Sequence, residues 1–295
     1  MSVIEINNLT KDFGKNKGIF DLSFSLEQGE IVGFLGSNGA GKTTTIRHLM
    51  GFIKADSGSV RVLNMDCFKN ARSVQEKIGY LPGEIAFMDN MTGEDFIRFM
   101  ANMKNMKDLQ YAKKLTAYFD IDAKSKIKKM SKGMKQKIGL IIAFMQDAPV
   151  LILDEPTTGL DPIMQTKFVD LLKKEKSKGK TILMSSHIFE EIENTCDRIV
   201  MIKDGRLAAD KNLKTIRNKM NKHYEISFSN TEDAVCFQKL HSSNSTRKDN
   251  VVYLFSNENV NCLIHELGKF NIKDINARYQ TLEEVFLKYY GGTEA

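Results

Sequence analysis

The eight residues from Gly36 to Thr43 read Gly-Ser-Asn-Gly-Ala-Gly-Lys-Thr and directly follow an apolar run at 31–35. The apolar run predicts a buried strand, and the glycines let the chain turn so that successive N–H groups point inward. A helix beginning near Lys42 would add the positive end of its dipole. Together these groups favour anionic oxygens, so the sequence predicts a loop that binds the phosphates of a nucleotide.

Four side chains near this loop have expected chemical roles. Lys42 would reach the β- and γ-phosphates as a point charge, and the hydroxyl of Thr43 would take one position on Mg²⁺. Asp154 and Glu155 follow another apolar run, 150–153, at the carboxyl end of a predicted parallel strand, where open α/β sheets bind ligands. We expect Asp154 to hold Mg²⁺ directly or through water, and Glu155 to act as the general base on the attacking water. The alternative is an acidic pair that only caps the next turn.

His187 follows a further predicted strand, 181–184. A lone histidine is more often structural than catalytic. The end of a neighbouring parallel strand, however, would face the same crevice as the phosphate loop. We therefore expect His187 to contact the γ-phosphate, with a structural role as the alternative.

The elements that must position these residues can be predicted from periodicity. Residues 3–9 and 19–26 alternate as antiparallel strands, and the strand, helix and strand pattern of 150–184 indicates a mostly parallel sheet. From 92 to 145 the pattern is helical, and a final strand pair is predicted around 198–208. The expected fold class is α/β, with a mostly parallel core sheet, an antiparallel edge and a helical subdomain.

The chain is expected to contain two domains and a linker. We predict a large nucleotide-binding domain at 1–212, with its helical subdomain at about 84–145, and a basic linker at 213–222. Residues 223–295 are predicted to form a small α+β domain with strands at 224–228 and 251–255 and a helix at 260–270. The chemistry of this small domain is not readable from its residues.

Composition narrows the function classes. The 295 residues carry 43 Lys and Arg against 37 Asp and Glu, a formal charge of +6 that does not indicate nucleic acid. The four cysteines form no C-x-x-C pair, which favours a reducing cytoplasm over a disulfide framework or a zinc site. No signal peptide is recognisable, and no run approaches the ~18 apolar residues of a membrane span. The chain is expected to be soluble by itself.

Residues 3 to about 210 resemble the ATP-binding cassette (ABC) family. Besides the phosphate loop and the acidic pair, Ser131-Lys132-Gly133-Met134-Lys135-Gln136 is similar to the family signature, and Gly159-Leu160-Asp161 is similar to its D-loop. Phe13 stands where the family places an aromatic residue that stacks on adenine. The alternative for Phe13 is a core residue on an edge strand.

The resemblance implies an ATPase in which two cassettes close head to tail around ATP and Mg²⁺. Ser131 and the N–H of Gly133 would bind the γ-phosphate held by the partner cassette, and hydrolysis would reopen the pair and drive a transmembrane permease. A homodimer is preferred over a heterodimer. The residues implied to contact the nucleotide are Phe13, Ser37, Asn38, Gly39, Ala40, Gly41, Lys42, Thr43, Thr44, Ser131, Gly133 and Asp161.

One segment departs from the family pattern. After Ile78-Gly79-Tyr80-Leu81-Pro82 the family has a glutamine that touches Mg²⁺ and the attacking water, whereas here Gly83 and Glu84 follow. We expect Glu84 to substitute as an acidic Mg²⁺ ligand. The alternative is that this contact is lost and the segment serves only as a hinge.

The resemblance extends to a branch with a separate permease chain. The segments around Gly83 and Ser131 and the ending Thr281–Phe286 resemble exporters of drugs, antibiotics or amphipathic peptides, for example cytolytic modulin-type peptides. The chain would then lie at the cytoplasmic face of a bacterial membrane, bound to its permease. The alternatives are a non-transport ABC ATPase acting on nucleic acid or ribosomes, and a module that binds ATP without hydrolysis.

Two clusters in the helical segment have open interpretations. The methionine cluster either fills the core or forms an adaptable surface for a short permease helix, with residues 100, 103 and 106 on one helical face. The lysines at 124–137 form a solvated face, or else they attract ATP or anionic lipid. The methionines are Met88, Met91, Met100, Met103 and Met106.

Overall fold

A computed structural model describes residues 2–217, 222–256 and 260–290, and for residues 287–290 it describes the backbone only. The chain divides into two compact units, residues 1–214 and 215–295. Of the expected linker 213–222, residues 213–217 form a short helix and Lys222 begins a strand, whereas 218–221 lie outside the described residues. The final residues of the expected small domain, 291–295, also lie outside them.

In the described part of unit 1, ten strands form two sheets. They are β1 (Ser2–Asp12), β2 (Gly18–Glu27), β3 (Ile31–Leu35), β4 (Ser57–Val62), β5 (Met65–Asp66), β6 (Ile78–Leu81), β7 (Val150–Asp154), β8 (Thr181–Ser186), β9 (Arg198–Lys203) and β10 (Arg206–Asn212). One sheet is antiparallel, in the order β2-β1-β4-β5. The other, β10-β9-β3-β8-β7-β6, is parallel except for β10. Every residue of β3, β7 and β8 is buried, as in strands covered on both faces.

The helices of unit 1 connect these strands and form the expected helical segment. They are α1 (Lys42–Leu49), α2 (Ala71–Gln75), α3 (Gly93–Met103), α4 (Gln110–Tyr118), α5 (Lys132–Met145), α6 (Pro162–Ser177) and α7 (Phe189–Thr195). A short helix, α8 (Leu213–Arg217), follows β10 and includes the boundary between the two units in the sequence. α5 packs against α3 and α4 and also against β6 and β7, with 138–145 buried throughout. The predicted core sheet, antiparallel sheet and helical segment are therefore confirmed. None of the described helices is long and apolar enough to cross a bilayer.

Unit 2 is the predicted small α+β fold. Its elements are β11 (Lys222–Phe228), α9 (Thr231–Leu240), β12 (Ser245–Lys248), β13 (Val251–Ser256), α10 (Val260–Leu267), β14 (Ile272–Tyr279) and α11 (Leu282–Tyr290). The sheet order is β12-β13-β11-β14, antiparallel throughout. β12 and β14 are not apparent from the sequence, because both are largely exposed and carry no clear apolar alternation.

The prediction of a helical face shared by residues 100, 103 and 106 is wrong. α3 ends at Met103, because Asn105 adopts the left-handed conformation with φ +54°. The N–H of Asn105 then donates to the carbonyl of Asn102 at 2.9 Å, and the N–H of Met106 donates to that of Ala101 at 2.9 Å, which is a Schellman ending. Met103 is also 69% exposed, so it does not fill the core.

A buried ionic cluster connects α4 of the helical segment to α6. The side chain of Glu175 is fully buried and accepts hydrogen bonds from the hydroxyl of Tyr111 and from the ammonium of Lys178, both at 2.6 Å, and it pairs with Lys180. Burial alone would raise the pKa of Glu175, but these donors outweigh burial and hold the pKa below its ordinary value of 4.5. Removing one donor leaves a buried carboxylate less completely paired.

We expect Tyr111→Phe to lower the free energy of unfolding by about 1 to 2 kcal/mol at pH 7, measured by urea denaturation. Tyr118→Phe on the same helix is the matched control. Its hydroxyl donates to the carbonyl of Lys167 at 2.8 Å in an exposed position, so its loss should cost less than about 0.5 kcal/mol. Equal losses of unfolding free energy in the two variants would contradict a stabilising role for the buried ionic cluster.

The same cluster predicts a pH dependence. Because the folded pKa of Glu175 is depressed, its contribution to stability is fully present above the ordinary pKa of 4.5 and is lost as the pH falls through the lower folded value. The difference between wild type and Tyr111→Phe should therefore shrink over that acidic range. Urea titrations at a series of pH values measure it.

Candidate functional site

The loop between β3 and α1 has the shape expected of a phosphate cradle. The backbone is left-handed at Gly39, with φ +82°, and at Gly41, with φ +113°, conformations that residues with a Cβ atom rarely adopt. Gly41 is the N-cap of α1, and its carbonyl accepts a hydrogen bond from the N–H of Thr45 at 2.9 Å. The first turn of α1 has no acidic residue, so the positive end of its dipole is open to an anion.

Lys42 is held inside this loop. Its ammonium donates to the carbonyls of Gly36 at 2.6 Å and Ser37 at 3.3 Å, and lies 3.7 Å from a carboxylate oxygen of Glu155. Burial lowers the pKa of Lys42, although Glu155 and Asp154 act in the opposite direction. The loop therefore holds a nearly buried cation opposite the residue predicted to be the general base.

Asp154 joins three parts of the site. It is 1% exposed, and its Oδ2 accepts a hydrogen bond from the hydroxyl of Thr43 at 3.0 Å. Its Oδ1 accepts one from the hydroxyl of Ser185 at 2.5 Å. The Ser185 oxygen in turn accepts the backbone N–H of Glu155 at 3.0 Å. One carboxylate thus connects the start of α1, the end of β7 and the end of β8.

These oxygen atoms fit Mg²⁺. Nucleotide-bound Mg²⁺ takes one or two carboxylates or hydroxyls from the protein, and phosphate oxygens and waters supply the other ligands. Thr43 and Asp154 are adjacent oxygen donors beside the phosphate loop. Among the described residues, no cluster of three or more His, Cys, Asp or Glu side chains could hold a metal ion by itself.

Glu155 and His187 lie together at the open side of the site. The Nδ1 atom of His187 lies 3.1 Å from the Glu155 carboxylate, whose side chain is 24% exposed. Glu155 has φ +49°, an uncommon conformation for a residue with a side chain. The side-chain amide of Gln136, on α5, donates to the carbonyls of Pro156 at 2.9 Å and Glu155 at 3.3 Å.

A cleft of about 500 Å³ lies over the phosphate loop, and Phe13 is part of its wall. Phe13 is 57% exposed, so it is not a core residue. The ammonium of Lys11 lies 5.9 Å from the centre of the Phe13 ring. The predicted residues that line the cleft are Phe13, Ser37, Asn38, Gly39, Gly41, Lys42, Thr43, Thr44 and Glu155, whereas Ala40 is buried in the core.

The cleft also contains residues that lie outside the sequence motifs. Residues 16–18 come from the turn between β1 and β2 and the first residue of β2, and Asp204 and Gly205 come from the turn between β9 and β10. Neither turn has a motif of its own. Ser185 and Gln136 are also absent from the residues predicted to be functional, although Gln136 lies in the signature segment and Ser185 lies two residues before His187. The position of Ser185 beside Asp154 becomes apparent only from the pairing of β7 with β8.

The signature and D-loop residues lie together, outside this cleft. Ser131 is the N-cap of α5, and Asp161 is the N-cap of α6; their side-chain oxygens accept the N–H groups of Met134 at 3.2 Å and Met164 at 2.9 Å. A Cβ atom on Gly133 would lie 2.5 Å from the carbonyl oxygen of Gly159, so the two loops pack backbone to backbone. Ser131, Gly133 and Asp161 are not among the residues that line the cleft of their own chain.

Glu84 lies next to the site but is exposed. The residue that lies against Asp154 is Gly83, where a Cβ atom would be 3.2 Å from Oδ2. The structure thus brings the backbone of the segment that differs from the family pattern close to Asp154, the predicted Mg²⁺ ligand. The side chain of Glu84 extends from the following position.

Comparisons with known proteins agree with this geometry. A family model described as "ABC transporter" matches residues 19–158. The chain is 34% identical to the SkfA peptide export ATP-binding protein SkfE of Bacillus subtilis, over 71% of this chain and 89% of that protein. A solved structure described as the ATP binding subunit of an ABC transporter has a TM-score of 0.68 and 29% identity, and the match covers 74% of this chain and 92% of that one.

The bacitracin transport ATP-binding protein BcrA of Bacillus licheniformis extends the similarity through both units. It is 31% identical over 301 aligned positions, which span 99% of this chain and 98% of that protein. The similarity therefore does not stop at the shared nucleotide-binding motifs. The phosphate loop, the acidic pair and the histidine meet at one edge of the sheet, and with these relatives this chain belongs to the ABC transporter family, as an ATPase.

Proposed function

We propose that this chain is the ATPase subunit of an exporter whose membrane-spanning part is a separate permease chain. The observation that carries this proposal is the meeting of Lys42, Asp154, Glu155 and His187 at one edge of the sheet, beside an open cleft of about 500 Å³. The residues at this edge match the needs of phosphoryl transfer, which are positioned charge and a base for water. ATP is the substrate, with its adenine against Phe13.

Each residue then has a defined task. Lys42 and the N–H groups of the loop neutralise phosphate charge, while Thr43 and Asp154 hold Mg²⁺. When bound, Mg²⁺ supplies further charge neutralisation at the phosphates. Glu155 accepts a proton from the attacking water, and His187 fixes its carboxylate and contacts the γ-phosphate.

The exposed signature fits a second cassette. Ser131 and Gly133 stand outside the cleft of their own chain, so their hydroxyl and N–H groups are available to a phosphate held by another copy. Asp161 lies on the adjoining loop and belongs to the same face. Shifting the ratio of closed to open pairs from about 1:99 to 99:1 requires ~5.5 kcal/mol of binding free energy. Each of two equivalent ATP molecules would supply about half of that. We propose a homodimer.

An apolar groove between the core and the helical segment is the proposed contact with the permease. It has a volume of about 290 Å³ and includes Phe52, Tyr80 and Met100. Phe52 is 55% exposed and lies edge-on to Tyr80 with ring centres 6.0 Å apart. An exposed aromatic side chain beside a flexible methionine suits a short amphipathic helix.

The relatives support a proposal for the cargo and the location. BcrA is named for bacitracin transport and SkfE for export of the SkfA peptide, so we propose an amphipathic antibiotic or peptide as cargo. The chain would work at the cytoplasmic face of a bacterial membrane. We also propose residues 1–212 as the nucleotide-binding domain and 223–295 as a separate domain, supported by the division of the chain after residue 214.

We expect Glu155→Gln to retain ATP binding but to reduce phosphate release by at least about 100-fold, because the general base is lost. With Mg²⁺ and ATP, this variant should elute from a sizing column as a dimer. The exposed Glu190→Gln is the control and should keep wild-type turnover. A Glu155→Gln protein that stays monomeric with ATP would count against the two-cassette proposal.

Glu84 is proposed as an acidic Mg²⁺ ligand, supported by the position of its neighbour Gly83 close to Asp154. Glu84→Ala should raise the Mg²⁺ concentration needed for half-maximal phosphate release several-fold. Glu84→Gln, which keeps an oxygen ligand at this position without the charge, should lie closer to wild type. An unchanged Mg²⁺ dependence in Glu84→Ala would leave the segment as a hinge only.

The groove is tested by Phe52→Ser. This variant should keep its phosphate release in solution yet fail to co-purify with the permease from detergent-solubilised membranes, since it removes exposed apolar surface from the contact. Phe68→Ser is matched to it, because Phe68 is 48% exposed and lies outside the groove. If both variants retain the permease, another surface makes the contact.

A nucleic-acid function predicts a different result. Binding of the wild-type chain to DNA or RNA that weakens steeply with salt would support that alternative. Co-purification of a membrane protein with wild-type chain, and its loss with Phe52→Ser, supports export.

A further inference from the structure

We infer that Ser185 is a positioning residue that aligns the metal-side carboxylate and the general base through one hydroxyl group. This inference rests on the proposed function, because it assigns a role within the same site. Ser185 is fully buried at the end of β8 and does not line the cleft, so it is not placed to touch the nucleotide itself.

The hydroxyl of Ser185 has a donor and an acceptor role at the same time. It donates to Oδ1 of Asp154 at 2.5 Å and accepts the backbone N–H of Glu155 at 3.0 Å. The parallel register places Ser185 directly opposite Asp154 in the neighbouring strand. The carboxylate of Asp154 and the backbone of Glu155 are therefore both hydrogen-bonded to the hydroxyl oxygen of Ser185.

For Asp154, this contact fixes the direction of the metal-side oxygen. With Oδ1 engaged by Ser185, Oδ2 is turned toward the hydroxyl of Thr43, 3.0 Å away. A carboxylate free to rotate would spread its oxygens over several orientations. Hydrogen bonds of this kind to a metal-binding carboxylate typically change metal affinity by about 10- to 100-fold.

For Glu155, the contact holds an unfavourable backbone conformation. Its φ of +49° is uncommon for a residue with a side chain and persists only where the surroundings enforce it. Ser185 holds the N–H of Glu155, and Gln136 approaches its carbonyl at 3.3 Å. The peptide groups on both sides of the base are thus constrained, so that its carboxylate meets His187.

Ser186 provides a matched comparison. It is also buried, at 2% exposed, and its hydroxyl also donates to a carboxylate, that of Glu191 at 2.7 Å. Its oxygen likewise accepts a backbone N–H, from Ile188 at 2.9 Å. Because neighbouring residues of a strand point to opposite faces, Ser186 makes these bonds away from Asp154. Loss of either hydroxyl therefore removes a similar pair of hydrogen bonds, but only Ser185 is bonded directly to Asp154 and Glu155.

The test uses the full-length chain and Mn²⁺ as a probe for the metal position. Free Mn²⁺ is measured by electron paramagnetic resonance in the presence of saturating ADP, and thermal unfolding is recorded for every variant. We expect Ser185→Ala to weaken nucleotide-dependent Mn²⁺ binding by about tenfold or more, whereas Ser186→Ala leaves it within about twofold. Both variants should lose similar thermal stability. Ser185→Thr, which keeps the hydroxyl on a strand-compatible side chain, should recover most of the Mn²⁺ affinity.

Kinetics add a second readout. Ser185→Ala should lower kcat about 10-fold or more with little change in KM for ATP, since the cleft itself is intact. If Ser185→Ala does not fold, Ser185→Cys is used, because it leaves no cavity and a thiol is only a weak hydrogen-bond donor. Mn²⁺ affinity and kcat equal to those of Ser186→Ala would overturn the positioning role while leaving the proposed function intact. A wild-type chain without nucleotide-dependent Mn²⁺ binding or ATP turnover would instead overturn the proposed function.

Discussion

The parallel pairing of β3, β8 and β7 is the constraint on which the rest of the site depends. In this register Leu35 lies opposite Ser186, and Ser185 lies opposite Asp154, so three strands end at the same level. The phosphate loop follows the end of β3, the acidic pair lies at the end of β7, and His187 follows the end of β8. A shift of register by one residue would turn Asp154 and Ser185 to the wrong faces of the sheet and separate Asp154 from Thr43.

The buried charged side chains of the site stabilise one another, so each depends on the presence of the others. Lys42 and Asp154 are both nearly buried, at 5% and 1% exposed, and a single unpaired charge there would be costly. Hydroxyls, loop carbonyls and the neighbouring carboxylates satisfy them within the chain. In the proposed function, phosphate oxygens and Mg²⁺ interact with the same groups, so ligand binding exchanges partners at a site that is already organised.

α5 connects several parts of the proposed mechanism. Ser131, which we propose to meet the partner's nucleotide, caps its start, and Gln136 one turn later donates to the backbone next to Glu155. The following turns are buried against β6 and β7. At the opposite side of the helical segment, Tyr111 joins α4 to the buried Glu175 of α6. Gly139 and Ile142 of α5 also line the apolar groove, so this one helix contacts both the groove and the backbone beside Glu155, the proposed general base.

The sequence by itself determined the fold class, the phosphate loop and the positions of Asp154, Glu155 and His187, because each depends on neighbours close in the chain. Apolar runs, glycines and the residues that follow them are local signals, and their order along the chain carries the family resemblance. Only the tertiary structure decided that Ser185 joins Asp154 to Glu155, that two turns at 16–18 and 204–205 complete the cleft, and that Phe13 is exposed beside it. Met106 does not share a helical face with Met100 and Met103, because the left-handed conformation of Asn105 ends α3. The periodicity of the sequence does not predict this conformation. These features depend on strand register, loop packing and backbone conformation, which bring together residues that are distant in sequence.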